Sequence, residues 1–156
     1  MDAPRFIADH NVGKLARWLR MMGYDTRFFD GQDDSEMVAI AVNEFRVILT
    51  RDGQIAERRL ATSGRLKVCL FDTSKPQEQI RRLIKLYGLR TDFKPFSLCM
   101  ECNRTLEKRT KEQVRERVPP YVFKTRDSYM ECPACHRIYW RGSHYEAMNR
   151  RLKEWA

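Results

Sequence analysis

The amino-acid sequence predicts an α/β fold in which a parallel sheet carries helices on both faces, followed by a small C-terminal module rich in cysteine. Over roughly the first ninety residues, short apolar segments alternate with segments of helical periodicity, a pattern typical of parallel strands joined by right-handed crossovers. Two Cys-x-x-Cys pairs replace this alternation in the last third of the chain. A hydrophobic content of 42% is enough for a packed interior, which excludes a disordered chain.

The length of 156 residues suits one ordinary domain and a small module, but not two full-sized domains. We expect a core domain over residues 1–94 and a cysteine-rich module with a final helix over residues 95–156. The longest uninterrupted apolar stretch is the six residues 37–42, far short of the roughly 20 needed to cross a bilayer. With neither a membrane span nor a readable secretory signal, the protein is expected in the cytoplasm.

The first two strand–helix units are predicted from the spacing of apolar residues. Residues 5–9 read as a short buried strand, and the helix after it ends at Gly23. The apolar residues of this helix fall at helical spacing: Leu15, Trp18, Leu19 and Met22. Residues 26–29 read as the second strand, and Asp33 or Asp34 is expected to cap the next helix. The inner face of that helix is expected to consist of Met37, Val38, Ala41 and Phe45.

Two further units follow in the same order. Residues 46–50 read as the third strand, and a weaker helix is expected over residues 54–62, before Gly64. Residues 67–71 read as the fourth strand. The last helix of this half is expected to have Ser74 as its cap and Pro76 in its first turn, and to end at Gly88. Its apolar stripe consists of Ile80, Leu83, Ile84 and Tyr87.

Acidic residues follow each predicted strand, at the edge of the sheet where α/β proteins bind ligands. Asp9 and Asp52 come directly or almost directly after buried strand residues, and we expect them to act together. Other acids of this edge also suit turns or helix caps: Asp30, Asp33, Asp34 and Asp72. Carboxylates at one edge repel one another unless a cation is bound, and Mg²⁺ and Mn²⁺ prefer such oxygen ligands. A divalent ion there, in a basic protein, fits hydrolysis of a nucleic-acid backbone.

The charge of the chain favours a polyanionic partner. Thirty Lys and Arg residues against 21 Asp and Glu give a formal net charge of +9. Residues 97–156 are the more positive part per residue, with 13 basic and 8 acidic side chains. Nucleic acid is the partner typical of this charge, although solubility alone is an alternative explanation. Lys14 and Arg17, three residues apart on the first predicted helix, are placed either to contact a phosphate or to face solvent.

The two cysteine pairs, Cys99 with Cys102 and Cys132 with Cys135, predict a metal site. Four thiolates suit tetrahedral Zn²⁺ with no open position, which makes such a site structural; disulfide or redox chemistry is the alternative. The pairs are separated by 29 residues, and a short helix over residues 111–118, ended by two prolines, accounts for this wide gap. The fifth cysteine, Cys69, lies in a predicted buried strand and is expected to be an inert core thiol.

Positive and aromatic side chains alternate around the second cysteine pair: Lys124, Arg126, Tyr129, Arg137, Tyr139, Trp140, Arg141 and Tyr145. This pattern is typical of a surface that binds single-stranded nucleic acid, and Arg137, Trp140 and Arg141 are its main candidates. Packing of Tyr139 or Trp140 against the module is the alternative. A stripe at helical spacing is expected to dock the final helix: Tyr145, Met148, Leu152 and Trp155.

Several of these segments together resemble a known family. The runs FIADHNVGKLARWLRMMGYDT, DDSEMVAIA and VILTRD, with the cysteine pairs and YWRGSH, resemble PIN-like ribonucleases of the Mut-seven C-terminal RNase domain family, over nearly the whole chain. The resemblance implies a PIN-like α/β core with a C-terminal zinc ribbon. It also implies RNA as the substrate and a Mg²⁺ or Mn²⁺ site formed by Asp9, Asp34 and Asp52.

The chain departs from the PIN pattern at one position. Many PIN nucleases carry a further acid a few residues after the third, whereas Gln54 and Ile55 occupy those positions here. A complete two-ion site therefore requires Glu36 or Asp72 to substitute. Three functions follow as hypotheses: a metal-dependent ribonuclease, a noncatalytic zinc-ribbon RNA-binding protein with a degenerate core, and a receiver-like domain. The basic charge and the cysteine pairs disfavour the receiver.

Overall fold

The computed structural model describes residues 2–156 and confirms the predicted α/β core. Its elements in chain order are β1 (Arg5–Asp9), a 3-10 helix (His10–Val12), α1 (Gly13–Met22), β2 (Thr26–Phe29), α2 (Asp34–Glu44), β3 (Arg46–Thr50), α3 (Gly53–Ala56), α4 (Arg59–Thr62), β4 (Val68–Leu70) and α5 (Pro76–Tyr87). The four strands are parallel and lie in the order β2-β1-β3-β4. The two central strands, β1 and β3, are therefore flanked on both sides.

Helices cover both faces of this sheet, as predicted. Alternate strand residues point to opposite faces, so Phe6 packs with α1 and α5 on one face, whereas Ile7 packs with α2 and α3 on the other. The first face is the larger, and it also receives Met148 and Leu152 from the C-terminal helix. Both central strands are consequently buried almost throughout, which holds their carboxyl ends in fixed positions.

Three local expectations in this half are wrong. Phe45 does not face the core: it ends α2 in a left-handed conformation (φ 55°), and its side chain is 87% exposed. The predicted helix over 54–62 is two single turns, because Arg58 between them is extended. Ser74 is not the cap of α5. Lys75 is the N-cap residue, and its backbone N–H donates to the hydroxyl of Thr73.

The C-terminal part contains a second sheet, which is antiparallel. Its elements are β5 (Glu107–Arg109), a 3-10 helix (Glu112–Val114), α6 (Pro120–Thr125), β6 (Tyr129–Glu131), β7 (Ile138–Tyr139) and α7 (Ser143–Trp155). The strand order is β5-β6-β7. The helix expected over 111–118 is only the short 3-10 turn, and the proline pair begins α6, because proline suits the first turn of a helix. We call residues 98–139, with their four cysteines, the cysteine ribbon.

Helix α7 packs on the core, as its apolar stripe predicts. Leu152 is fully buried, and the rings of Trp18 and Trp155 meet edge to face with centroids 4.6 Å apart. The carbonyl of Trp155 also accepts a hydrogen bond from Arg81 of α5.

The domain boundary after residue 94, between the core domain and the cysteine-rich module, stays a prediction. Across residues 2–156, every helix is too short or too polar to cross a membrane.

Candidate functional site

The first predicted site lies at the carboxyl edge of the parallel sheet, where β1 ends at Asp9. The Asp9 side chain is only 3% exposed, and its carboxylate is held from several directions. Oδ1 accepts from the backbone N–H of His10 at 2.9 Å and lies 3.0 Å from Nδ1 of the His10 ring. Oδ2 accepts from the hydroxyl of Thr50 at 2.8 Å and from Asn11 at 3.4 Å. Asp9 is thus fixed in one orientation.

Asp52 is tied to Asp9 through the same threonine. The Thr50 hydroxyl, which donates to Asp9, accepts from the backbone N–H of Asp52 at 3.0 Å. Asp52 in turn caps α3, with Oδ1 accepting from the N–H of Gln54 at 2.9 Å. Asn11 adds a second link, since its Oδ1 accepts from the N–H of Arg51 at 3.1 Å. The two loops that follow β1 and β3 are therefore bound to each other.

Asp34 begins α2, on the other side of β1. The capping alternative is settled in favour of its neighbour: Asp33 is the N-cap and accepts from the N–H of Ser35 at 2.9 Å. Asp34 is the first residue of the helix and half-buried. Nearby, Arg58 donates to the hydroxyl of Ser35 at 3.2 Å, which brings the turn after β3 to the start of α2.

The strand order places the three aspartates around β1, with Asp34 after β2 on one side and Asp52 after β3 on the other. Within residues 2–156, none of their carboxylates pairs with an arginine or a lysine. They do not form a close ligand cluster of the kind that the four cysteines form in the described part of the chain. Convergence of all three on one ion therefore stays a prediction.

The donor set nevertheless suits a hard divalent ion. Mg²⁺ keeps several waters and is usually held by one or two carboxylates together with substrate phosphates. Asp9 and Asp52 provide two carboxylates, on loops that Thr50 links. Of the other acids at this edge, Glu36 and Asp72 are exposed. Gln54, which is exposed, and Ile55, which is fully buried, follow Asp52 and Gly53 and supply no further carboxylate.

The second predicted site is the cysteine cluster, which the structure brings together. The four sulfur atoms lie within 4.8 Å of one another, and Cys99 Sγ is 3.6 Å from Cys135 Sγ. Tetrahedral Zn²⁺ with Zn–S bonds of about 2.3 Å requires sulfur separations of about 3.8 Å, so the cluster has the size of a zinc site. Cys69 is buried apart from it in β4.

The first cysteine loop (residues 99–103) and the second (residues 132–136) have the same backbone conformation. Asn103 N–H donates to the Cys99 carbonyl and His136 N–H to the Cys132 carbonyl, both at 2.9 Å. Asn103 and His136 are both left-handed, with φ of 63° and 62°. Such loops direct backbone N–H groups at sulfur: the N–H of Cys135 lies 3.5 Å from Cys132 Sγ. This repeated geometry is expected of two halves of one metal site.

The pKa values of two thiols in the cluster are shifted in opposite directions. Burial by itself raises the pKa of Cys135, but hydrogen bonds from Arg137 lower it to about 6. Burial and the neighbouring thiols raise the pKa of Cys102 to about 12. His136 is not part of the close group of ligand atoms, which among the described residues consists of the four cysteine sulfurs, and its Nδ1 lies 2.9 Å from the carboxylate of Glu131.

The first cysteine loop is docked on the core by three side chains. Asn103 Oδ1 accepts from the buried N–H of Thr26 at 2.9 Å, and its amide donates to Asp25 at 2.7 Å. Arg20 of α1 donates to the Met100 carbonyl at 2.8 Å. Arg17 forms an ion pair with Glu101 of the same loop. Arg17, predicted to contact phosphate, is thus engaged within the protein, and its role toward nucleic acid stays a prediction.

The aromatic and basic residues around the second cysteine loop divide into two groups. Tyr139 is structural, because its hydroxyl lies 3.1 Å from Cys99 Sγ and accepts from the N–H of Met100 at 3.2 Å. Trp140 is half-buried against Tyr129. Arg137 is exposed, and Arg141 lies over the ring of Tyr145 with 4.7 Å between guanidinium carbon and ring centroid. Exposed Lys14 lies in the first turn of α1.

Comparison with known proteins places this chain in a family. Residues 4–152 match the family model described as the Mut7-C RNAse domain. The chain belongs to the Mut7-C RNAse domain family. It is also 34% identical over 102 residues to the protein of Homo sapiens named Exonuclease mut-7 homolog. The matched segment covers 64% of this chain and 12% of the human protein. The chain therefore spans about an eighth of that relative's length. No solved structure matches the chain significantly.

Three residues of this Mut7-C domain that surround Asp9 were not among the candidates from sequence: His10, Asn11 and Thr50. They stand beside the aspartates in the triplets DHN and TRD. Proximity in those triplets is the only sequence signal for them, since polar residues after a strand are common in turns. Their function in orienting Asp9 and Asp52 follows from the hydrogen bonds alone.

Proposed function

We propose that this chain is a metal-dependent ribonuclease that hydrolyses RNA phosphodiester bonds at the carboxyl edge of the parallel sheet, where Asp9, Asp34 and Asp52 hold Mg²⁺ or Mn²⁺. The family description denotes an RNase domain, and the human relative is named an exonuclease. The single observation that carries the proposal is the link from Asp9 through the Thr50 hydroxyl to Asp52. It places two carboxylate-bearing loops side by side.

The residues of the edge have separate functions in this proposal. Asp9 is the central ligand, held rigid by Thr50 and by the N–H of His10, so that little reorganisation accompanies ion binding. Asp52 and Asp34 approach from the neighbouring loops. A divalent ion bound there lowers the pKa of a water molecule and neutralises charge that develops on the phosphodiester. Lys14, in the first turn of α1, is placed to contact a backbone phosphate.

We infer that the four cysteines hold Zn²⁺ in a structural role. Four sulfurs complete a tetrahedral shell, which leaves no position for a substrate. The cysteine ribbon has only small apolar clusters of its own, and segments of this size usually need a metal or a disulfide to fold. In the ribonuclease, Arg137 of the cysteine ribbon contributes to binding single-stranded RNA, together with Trp140 and Arg141, which follow it, and Arg17 of α1.

Cleavage of labelled single-stranded RNA in Mn²⁺ tests the proposal. Asp52→Asn keeps an oxygen that can accept the bond capping α3, and Asp9→Asn keeps one of its two accepting oxygens. We expect both variants to fold and cleavage to fall by roughly 100-fold or more. Asp30→Asn is the matched control, because Asp30 is an exposed acid after β2 at the same edge and is not among the proposed ligands. Undiminished cleavage by the Asp9 or Asp52 variant contradicts the metal-site assignment.

A noncatalytic RNA-binding protein is the second candidate, and the burial of Ile55 favours it. Ile55 is part of the core, and neither it nor Gln54 supplies the further acid that many PIN nucleases carry a few residues after the third. Such a protein binds RNA with strong salt dependence and gives no metal-dependent products. Incubation with Mn²⁺ and Mg²⁺ over a wide range of protein concentration distinguishes the two candidates.

A further inference from the structure

A groove of 540 Å³ opens between the cysteine ribbon, α1 and α7. This volume falls within the range of roughly 300–1,000 Å³ that is typical of small-ligand sites. Tyr121 of α6, Trp140 after β7 and Tyr145 of α7 line it, together with Arg17 and Met21 of α1. The groove is therefore built jointly by the core and the cysteine ribbon.

The lining combines flat aromatic rings with positively charged side chains. Tyr121 is 72% exposed, so its ring is accessible to a ligand in the groove. Arg126 and Arg137 line the groove, and neither pairs with a carboxylate within residues 2–156. Glu101, an acidic lining residue, is neutralised by Arg17. Arg137 also hydrogen-bonds to the thiol of Cys135. Flat rings beside guanidinium groups suit a planar, anionic ligand, which is the chemistry of a nucleotide.

Helix α1 connects the groove to the carboxyl edge of the parallel sheet, where Asp9, Asp34 and Asp52 lie; we call this the acidic edge. This helix starts four residues after Asp9, and Arg17 lies one turn further along it, about 6 Å from Gly13. Lys14 lies between the two sites on the same helix. A strand whose phosphate is at the acidic edge would reach the groove within about two or three nucleotides.

We propose that this groove receives an unpaired nucleobase of the RNA strand, which stacks on Tyr121 and Trp140 while Arg126 and Arg137 bind the flanking phosphates. The proposal rests on the proposed ribonuclease function, which it deepens by requiring an unpaired base near the site of cleavage. A base held in a duplex cannot enter the groove. The domain therefore distinguishes single-stranded from double-stranded RNA by the shape and stacking of this groove.

The experiment compares two short strands of equal length and charge: a single-stranded RNA and a fully abasic ribose-phosphate strand. Binding to the zinc-loaded full chain is measured by fluorescence anisotropy without Mg²⁺ or Mn²⁺, so that no strand is cut. We expect the RNA to bind about 10-fold more tightly than the abasic strand, as one stacked base provides. Tyr121→Ala and Trp140→Ala should remove this preference while leaving the affinity for the abasic strand unchanged.

Two matched controls separate stacking from charge. Phe45→Ala removes another highly exposed aromatic side chain, at the end of α2, and should retain the 10-fold preference. Arg126→Gln should weaken binding of both strands equally and reduce the salt dependence. Since Tyr121 is so exposed, Tyr121→Ala tests the groove even if Trp140→Ala does not fold.

Equal binding of the two strands by the wild-type protein overturns the proposal, as does a preference that survives in Tyr121→Ala. The proposal is also overturned if polyglutamate displaces the labelled RNA as readily as unlabelled RNA does, because the groove would then recognise charge alone. The ribonuclease proposal is judged separately. Asp9-dependent cleavage without a base preference contradicts only the groove, and a base preference without cleavage contradicts only the ribonuclease.

Discussion

The hydroxyl of Thr50 donates a hydrogen bond to Oδ2 of Asp9 at 2.8 Å, and it joins the carboxyl ends of two adjacent strands. The same oxygen accepts from the backbone N–H of Asp52, so one buried side chain orients two proposed metal ligands. Replacing this hydroxyl therefore affects both aspartates without removing a carboxylate.

Thr50→Val is expected to reduce RNA cleavage by 10-fold or more, because Asp9 loses a donor and the Asp52 N–H loses its acceptor. Valine has nearly the shape of threonine, so the core remains filled, and the unsatisfied groups should lower the free energy of unfolding by about 1–3 kcal/mol. Thr50→Ser keeps the hydroxyl and should retain most activity. Steady-state cleavage and urea denaturation measure the two effects. Full activity of the valine variant would show that the hydroxyl does not orient the site.

Removal of zinc is expected to unfold the cysteine ribbon and weaken RNA binding. The groove wall formed by Met100 and Glu101 belongs to the first cysteine loop, and we expect the conformation of this loop to depend on the metal. Atomic absorption should find about one zinc per chain, and chelation should lower both the melting temperature and the affinity for single-stranded RNA. Cys132→Ser should reproduce these losses, whereas Cys69→Ser leaves the zinc content unchanged. Unaltered RNA affinity after complete chelation would separate the cysteine ribbon from RNA binding.

Asn103→Gly tests the docking of the first cysteine loop on the core. Glycine adopts the left-handed conformation of this position freely, so the substitution removes only the side-chain bonds to Thr26 and Asp25. Loss of a partner for the buried Thr26 N–H should lower the free energy of unfolding by about 1–3 kcal/mol. Chemical denaturation measures this change. Zinc content should stay unchanged, and a variant as stable as the wild type would show that other contacts are sufficient for docking.

Asp25 is expected to make the free energy of unfolding depend on pH. Burial raises the pKa of Asp25, but hydrogen bonds from Arg46 and Asn103 lower it by more, so the net shift is downward. A lowered pKa in the folded state stabilises the fold above the unfolded-state pKa of about 3.9, and this contribution disappears as the pH falls through the lowered value. Asp25→Asn should therefore flatten the fall in unfolding free energy between about pH 5 and pH 2.

The matched control for Asp25 is Asp92→Asn, which removes an exposed carboxylate that pairs only with Arg90. Its pH profile of urea denaturation should follow that of the wild type. If the Asp25 and Asp92 variants lose stability with acid in the same way as the wild-type protein, the bonds from Arg46 and Asn103 do not control acid stability.

Elements with strong local signals agree between sequence and structure. The sequence predicts the strand at residues 5–9 and the end of the first helix at Gly23, and the structure has both. Apolar periodicity and a left-handed glycine are local properties of the chain. Expectations failed where the local pattern suited two outcomes. Phe45 continues the helical spacing of α2, yet the backbone turns before its side chain can reach the core.

The sequence by itself determined the alternation of strands and helices and the two Cys-x-x-Cys pairs, because these depend on spacings of a few residues. Tertiary structure alone decided which side chains meet: Thr50 with Asp9, Asn103 with Thr26, and Arg17 with Glu101. These partners are 41, 77 and 84 residues apart along the chain. Their contact depends on the order of strands in the sheet and on where the cysteine ribbon docks, and no local preference of the backbone specifies either.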